Sequence, residues 1–168
     1  MKCNIIGNGP SRHLYVDDGS ITYGCNIPLQ KVDKLVINDR EVADVYNTNK
    51  HLIPKDCTLI CSVDVWQRLD LWKLRPHFKL EHLYHVRKER FNSAHYAAVH
   101  AISNGFTQLK IYGCDSYHFD STTSSTDEYI NNPNKPNVGF VNKQIAEWRI
   151  VWNKLMEENP TVTFEFVM

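Results

Sequence analysis

Five short apolar runs that each stop at a glycine or a polar residue, together with two amphipathic helical patterns that each precede a further strand-like run, predict an α/β fold. The expected architecture is Rossmann-like, a mostly parallel sheet with helices on both faces, in a single domain over residues 1–168.

The first strand is Met1-Lys2-Cys3-Asn4-Ile5-Ile6, which runs straight into Gly7-Asn8-Gly9-Pro10-Ser11. Glycine permits tight geometry there and proline ends the ladder. Ser20 to Cys25 is a second strand ending at Asn26, and Lys34 to Ile37 a third ending at Asn38. A short helix follows from Asp39 to Tyr46, then a fourth strand from Thr58 to Cys61 and a helical stretch from Val65 to Leu69. After Pro76, Phe78 to Leu83 alternates as an extended segment would. Ser93 is the expected cap of a helix in which Tyr96, Ala97, His100, Ala101 and Asn104 recur at helical spacing, with Gly105 as its stop. The strand Leu109 to Tyr112 then ends at Gly113-Cys114-Asp115. Residues 120–140, rich in Ser, Thr, Asp and Asn, read either as a lid or as an irregular insertion. Val141, Ile145, Trp148, Trp152 and Leu155 form one stripe of a long helix, and Thr161 to Val167 closes the chain as a strand.

Lys plus Arg and Asp plus Glu each total 19, so no charge excess attracts nucleic acid, although self-association stays open. The five cysteines form no CxxC pair and read as reduced core residues. No signal-peptide pattern or membrane-length apolar run is visible, which predicts a cytoplasmic protein. No cluster has metal-ligand spacing, and no metal is expected.

The loop Gly7-Asn8-Gly9-Pro10-Ser11 is the first candidate for a ligand site. Its glycines allow close backbone approach, Asn8 carries a donor and an acceptor, and Ser11 stands where a helix or turn start would present amides to a phosphate. A tight turn with no ligand is the plain alternative. Asp64 and Asp115 follow strand ends and are placed to line the site or to cap. Asp17 and Asp18 read as turn residues. His100 reads as structural, and His51, His77 and His82 as surface residues. Trp66, Trp72, Trp148 and Trp152 have helical contexts that favour burial.

Ile5-Ile6-Gly7-Asn8-Gly9-Pro10-Ser11, Tyr23-Gly24-Cys25-Asn26, Val36-Ile37-Asn38, Ser93-Ala94-His95-Tyr96 and Ile111-Tyr112-Gly113-Cys114-Asp115-Ser116-Tyr117 occur in that order along the chain. Together they resemble the small GNGPS-loop sialyltransferase family of bacterial lipooligosaccharide enzymes and related uncharacterised glycosyltransferase-like domains of bacteria and phages. The resemblance implies a nucleotide-sugar substrate, a CMP-sugar, and no resident cofactor. It implies that Gly7, Asn8, Gly9, Ser11, Asn26, Asn38 and Ser93 belong to the nucleotide or sugar site, with Asp115 and Tyr117 at its rim. The family's histidine base precedes the last long helix, where this chain reads Asn137-Val138-Gly139-Phe140-Val141-Asn142 and has no histidine. Asp115, His118 and His95 remain as acid-base candidates. Tyr84, or the basic run containing Arg87 and Arg90, are candidates to meet the leaving phosphate.

Two other functions fit the same residues. One is a non-catalytic nucleotide-binding or sequestering protein that keeps the cleft without a base. The other is a metal-dependent nucleotide-processing enzyme, which requires Asp39, Asp64 and Asp115 to converge.

Overall fold

The computed structural model describes residues 1–70, 73–84, 90–128 and 138–168. Seven strands form one sheet: β1 (Lys2–Ile6), β2 (Ile21–Cys25), β3 (Lys34–Ile37), β4 (Thr58–Ser62), β5 (Lys79–Tyr84), β6 (Gln108–Tyr112) and β7 (Thr163–Phe166). Their spatial order is β5-β4-β3-β2-β1-β6-β7, and every pairing is parallel. All strand carboxyl ends therefore lie along one edge, with Gly7, Asn26 and Asn38 side by side.

Helices cover both faces, and the alternation of side chains shows why. On β3 and β4, Val36 and Ile60 face one core together with α3 (Ser93–Ser103) and α4 (Val138–Glu158). Leu35, Ile37, Leu59 and Cys61 point the other way, into a core closed by α1 (Arg40–Thr48) and α2 (Val63–Arg68). Strands buried on both faces carry the continuous apolar runs seen in the sequence. Trp152 is fully buried in the first core, and Trp66 lies beneath the guanidinium of Arg75, 4.8 Å from its ring centroid.

The first two crossovers contain no α-helix. Between β1 and β2, a five-residue 3-10 turn, Pro10–Leu14, leads to Tyr15, whose ring meets Tyr112 edge-on at 5.4 Å and whose hydroxyl lies 3.1 Å from Thr22 Oγ1. Between β2 and β3 the chain has only residues 26–33, fewer than the dozen or so usual between parallel neighbours. Asn26, at φ 55°, starts this short link, and Asp33 closes it by accepting the Thr22 amide at 2.8 Å. Gly24 lets the link fold back: a Cβ there would stand 2.7 Å from Val32 Cγ1. Asp17 and Asp18 accept the amides of Gly19 and Ser20, as turn residues do.

The helix expected to begin at Ser93 is capped one residue earlier, by Asn92. No helix among the described residues is long and apolar enough to cross a membrane. The basic run from Arg87 to Glu89, Trp72 and residues 129–137 of the expected lid lie outside the described residues.

Candidate functional site

From β1 the chain proceeds outward through β2, β3, β4 and β5, then returns along α3 to β6 on the other side of β1. The strand order thus reverses between β1 and β6, and open α/β sheets bind ligands beyond the carboxyl ends at such a reversal. The two loops that meet there are Gly7–Ser11 and Gly113–Asp115.

These loops are bound to each other. Gly7 N donates to Tyr112 O and Gly9 N to Gly113 O, both at 2.8 Å. Ser11 donates to Asp115 Oδ2 from its amide at 3.1 Å and from its hydroxyl at 3.0 Å, and Ser11 Oγ accepts from Gly113 N at 2.9 Å. A Cβ at Gly7 would lie 2.5 Å from Gly113 O, and one at Gly9 would lie 2.2 Å from Asp115 Oδ2. Both glycines therefore serve the contact between loops, and the Ser11 amide expected to meet a phosphate already has its acceptor. Asp115 sits at the end of β6, as the sequence predicts, with its buried carboxylate turned to Ser11. Asp115→Ala leaves the Ser11 amide and hydroxyl without that acceptor, and is expected to cost about 2 kcal/mol. Urea denaturation checks this; an Asp115→Ala protein as stable as the parent would remove the carboxylate from the framework.

Asn26, Asn38 and Ser93 are brought together beside this junction. Ser93 Oγ donates to Asn26 Oδ1 at 2.9 Å and accepts from Asn38 N at 3.2 Å, which ties the ends of β2 and β3 to the first turn of α3. Tyr46 donates to Asn26 O at 2.6 Å, and Asn38 Nδ2 donates to Phe91 O at 3.3 Å. Tyr84 donates to Ile37 O at 3.3 Å and stacks on Tyr96 at 4.2 Å, next to Phe91. Arg90 pairs with Glu147 at 3.8 Å.

The acid-base candidates do not share one place. His95 is fully buried; its Nδ1 accepts from Asn92 N at 2.9 Å while its amide donates to Asn92 Oδ1, a reciprocal capping box. Burial pushes its imidazole down to about 3, against a smaller upward pull from the Trp148 carbonyl. His95 is neutral at physiological pH and has no access to a substrate. His118 is exposed, its ring 5.9 Å from that of Phe166, and Tyr117 stacks on Phe166 at 4.1 Å while reaching Asn153. Both have turned toward α4 and β7. His100 accepts or donates at 3.0 Å to the Tyr23 hydroxyl, away from the junction.

Comparison with protein-family models, curated proteins and solved structures finds no match to this chain. The site is therefore read from its own chemistry. Among the described residues, no three His, Cys, Asp or Glu side chains are grouped to hold a metal ion. Asp39, at the start of α1, and Asp64, exposed in the first turn of α2, accordingly form no such group with Asp115. Cys3, Cys25, Cys57 and Cys61 are buried thiols, and burial raises each well above the usual range.

Two residues at the junction had no signal in the sequence reading. Arg12 is buried and donates from Nη1 to Ser125 Oγ, and the Ser125 amide donates to Asn8 O at 3.0 Å. The start of the expected lid is thus bonded to the glycine loop. Next to that bond, Thr126 is 4% exposed, and neither its Oγ1 nor Asn8 Oδ1 has a hydrogen-bond partner.

Proposed function

We propose that the protein is a glycosyltransferase-like protein that takes a nucleotide or nucleotide sugar, a CMP-sugar by resemblance, in the crevice where the strand order reverses. The reversal between β1 and β6 carries this reading, and the parallel strands line up Asn8, Asn26, Asn38 and the first turn of α3 beside it along one edge. The ordered motifs that resemble the sialyltransferase family add the nucleotide to what would otherwise be an unspecified polar ligand. A cytoplasmic setting accords with cysteines that are all free.

Calorimetry against nucleotides and nucleotide sugars tests the reading. Asn8→Ala is expected to weaken the tightest of them about 3- to 10-fold, one neutral hydrogen bond, with the fold unchanged. Unaltered affinity in the folded variant would reject Asn8 as a contact.

A specific observation favours binding without turnover as the second reading. Asp115 is engaged by Ser11, His95 is buried and neutral, and His118 lies beside Phe166. Product analysis separates the two: a transferase releases cytidine monophosphate from a CMP-sugar in the presence of acceptor, and a sequestering protein returns the donor intact.

A further inference from the structure

Helix α4 buries one side and turns a regular stripe the other way. Ile145, Val151, Trp152 and Leu155 are in the core, whereas Lys143, Ala146, Ile150, Lys154 and Glu157 are exposed. At about 100° per residue, Lys143, Ile150 and Glu157 fall within about 20° of one line along the helix. Ile150 is 55% exposed, and among the described residues it is the one large apolar side chain that an α-helix presents to solvent.

The charges on this stripe run against the stability of the isolated helix. A carboxylate in the last turn opposes the helix macrodipole, and α4 ends on Glu157 and Glu158 with no basic residue in that turn. Lys154 offsets Glu158 at 3.7 Å, and Glu147, at the side of the stripe, pairs with Arg90. Lys143 and Glu157 have no ion-pair partner among the described residues.

These two charges are opposite in sign and equally far from Ile150, each seven residues or about 10 Å along the axis. A second α4 laid antiparallel on the first, with a two-fold axis through Ile150, brings each Lys143 level with the other copy's Glu157. The symmetry repeats the contact, so two ion pairs flank an apolar centre, and the small Ala146 leaves room for the stem of Lys154. A parallel arrangement would set like charge against like. The formal charge of the whole chain is zero, so no general repulsion opposes the approach.

We infer that the outer stripe of α4 is an interface with a second copy of this chain, an antiparallel pairing centred on Ile150 and matched by Lys143 and Glu157. One helix pair is smaller than a standard interface, so the dimer is weak and reversible. It lies on the helix side turned away from the sheet and does not depend on the ligand reading above.

Sedimentation velocity of the full chain at low salt, from micromolar to millimolar concentration, tests this. The parent should dimerise as concentration rises, and Ile150→Asp should stay monomeric. Lys143→Glu and Glu157→Lys each turn two attractive pairs into two repulsive ones and should weaken association about 10-fold. The double variant carrying both reversals should regain parental affinity. An equal mixture of the two single variants should regain it too, because one partner then carries only acids at these positions and the other only bases. Circular dichroism should find every variant folded, since the substituted side chains are exposed; if Ile150→Asp does not fold, the charge variants decide alone. A parent that stays monomeric throughout overturns the inference. A dimer indifferent to Ile150→Asp or to the single reversals does so as well, as does a loss that neither the double variant nor the mixture restores.

Discussion

Replacing Gly9 by valine is expected to destabilise the protein by about 3 kcal/mol or more. Gly9 has φ −76° and ψ 168°, which any residue adopts, so the backbone itself needs no glycine. The obstacle is space: its Cβ would meet Asp115 Oδ2 at 2.2 Å and Gly113 O at 2.8 Å. Those atoms belong to the loop after β6, and moving them breaks the bonds from Gly9 N and Ser11 that hold the two loops together. Gly19 supplies the contrast. It lies at φ 76° with nothing within 4 Å of a Cβ, so Gly19→Ala carries only the left-handed backbone penalty, about 1 kcal/mol. Urea denaturation of both variants checks the ordering. A Gly9→Val protein of parental stability that has lost nucleotide binding would mean that the glycine makes room for a ligand instead.

The five central strands, β1 to β4 and β6, were legible because each apolar run is largely buried and meets a glycine or a polar residue at its end, as at Cys25-Asn26 and Ile37-Asn38. Their common edge follows once the sheet is parallel. Less legible was how the chain crosses from strand to strand. The eight residues between β2 and β3 depend on Gly24 receiving Val32 and on Asn26 in a left-handed conformation, contacts that local pattern does not encode. Ser93 has the composition of a helix cap, yet the side chain at the next position back does the capping, because His95 rather than Glu or Gln completes the box. At the site, residue types were readable and their roles were not. Asp115 and Ser11 stand 104 positions apart in sequence, and nothing in either segment announces that they satisfy each other. Thr126 sat in a polar stretch whose composition suits a surface loop, yet it is buried, next to the Ser125 bond to Asn8 that composition does not encode.

His95 should give the protein a pH dependence that identifies its role. Its folded pKa, about 3, lies below the ordinary value of 6.5. Between those values the unfolded chain binds a proton that the folded chain refuses, so stability falls as the pH drops below about 6.5. The slope from this one group is about 1.4 kcal/mol per pH unit, or about 2 kcal/mol between pH 6.5 and pH 5. His95→Gln removes the titration and retains the cap, since a glutamine at the third helical position can accept from Asn92 N as the imidazole does. The variant should therefore lose about 2 kcal/mol less than the parent across that range. His100 titrates in both proteins, so the difference isolates His95. His95→Ala removes the cap and also opens a cavity against Trp152, whose ring centroid is 4.5 Å from the imidazole, and should cost about 3 kcal/mol even at pH 7.5. Equal pH slopes in the parent and His95→Gln would show that the imidazole takes up a proton in the folded protein, which would return His95 to the acid-base candidates.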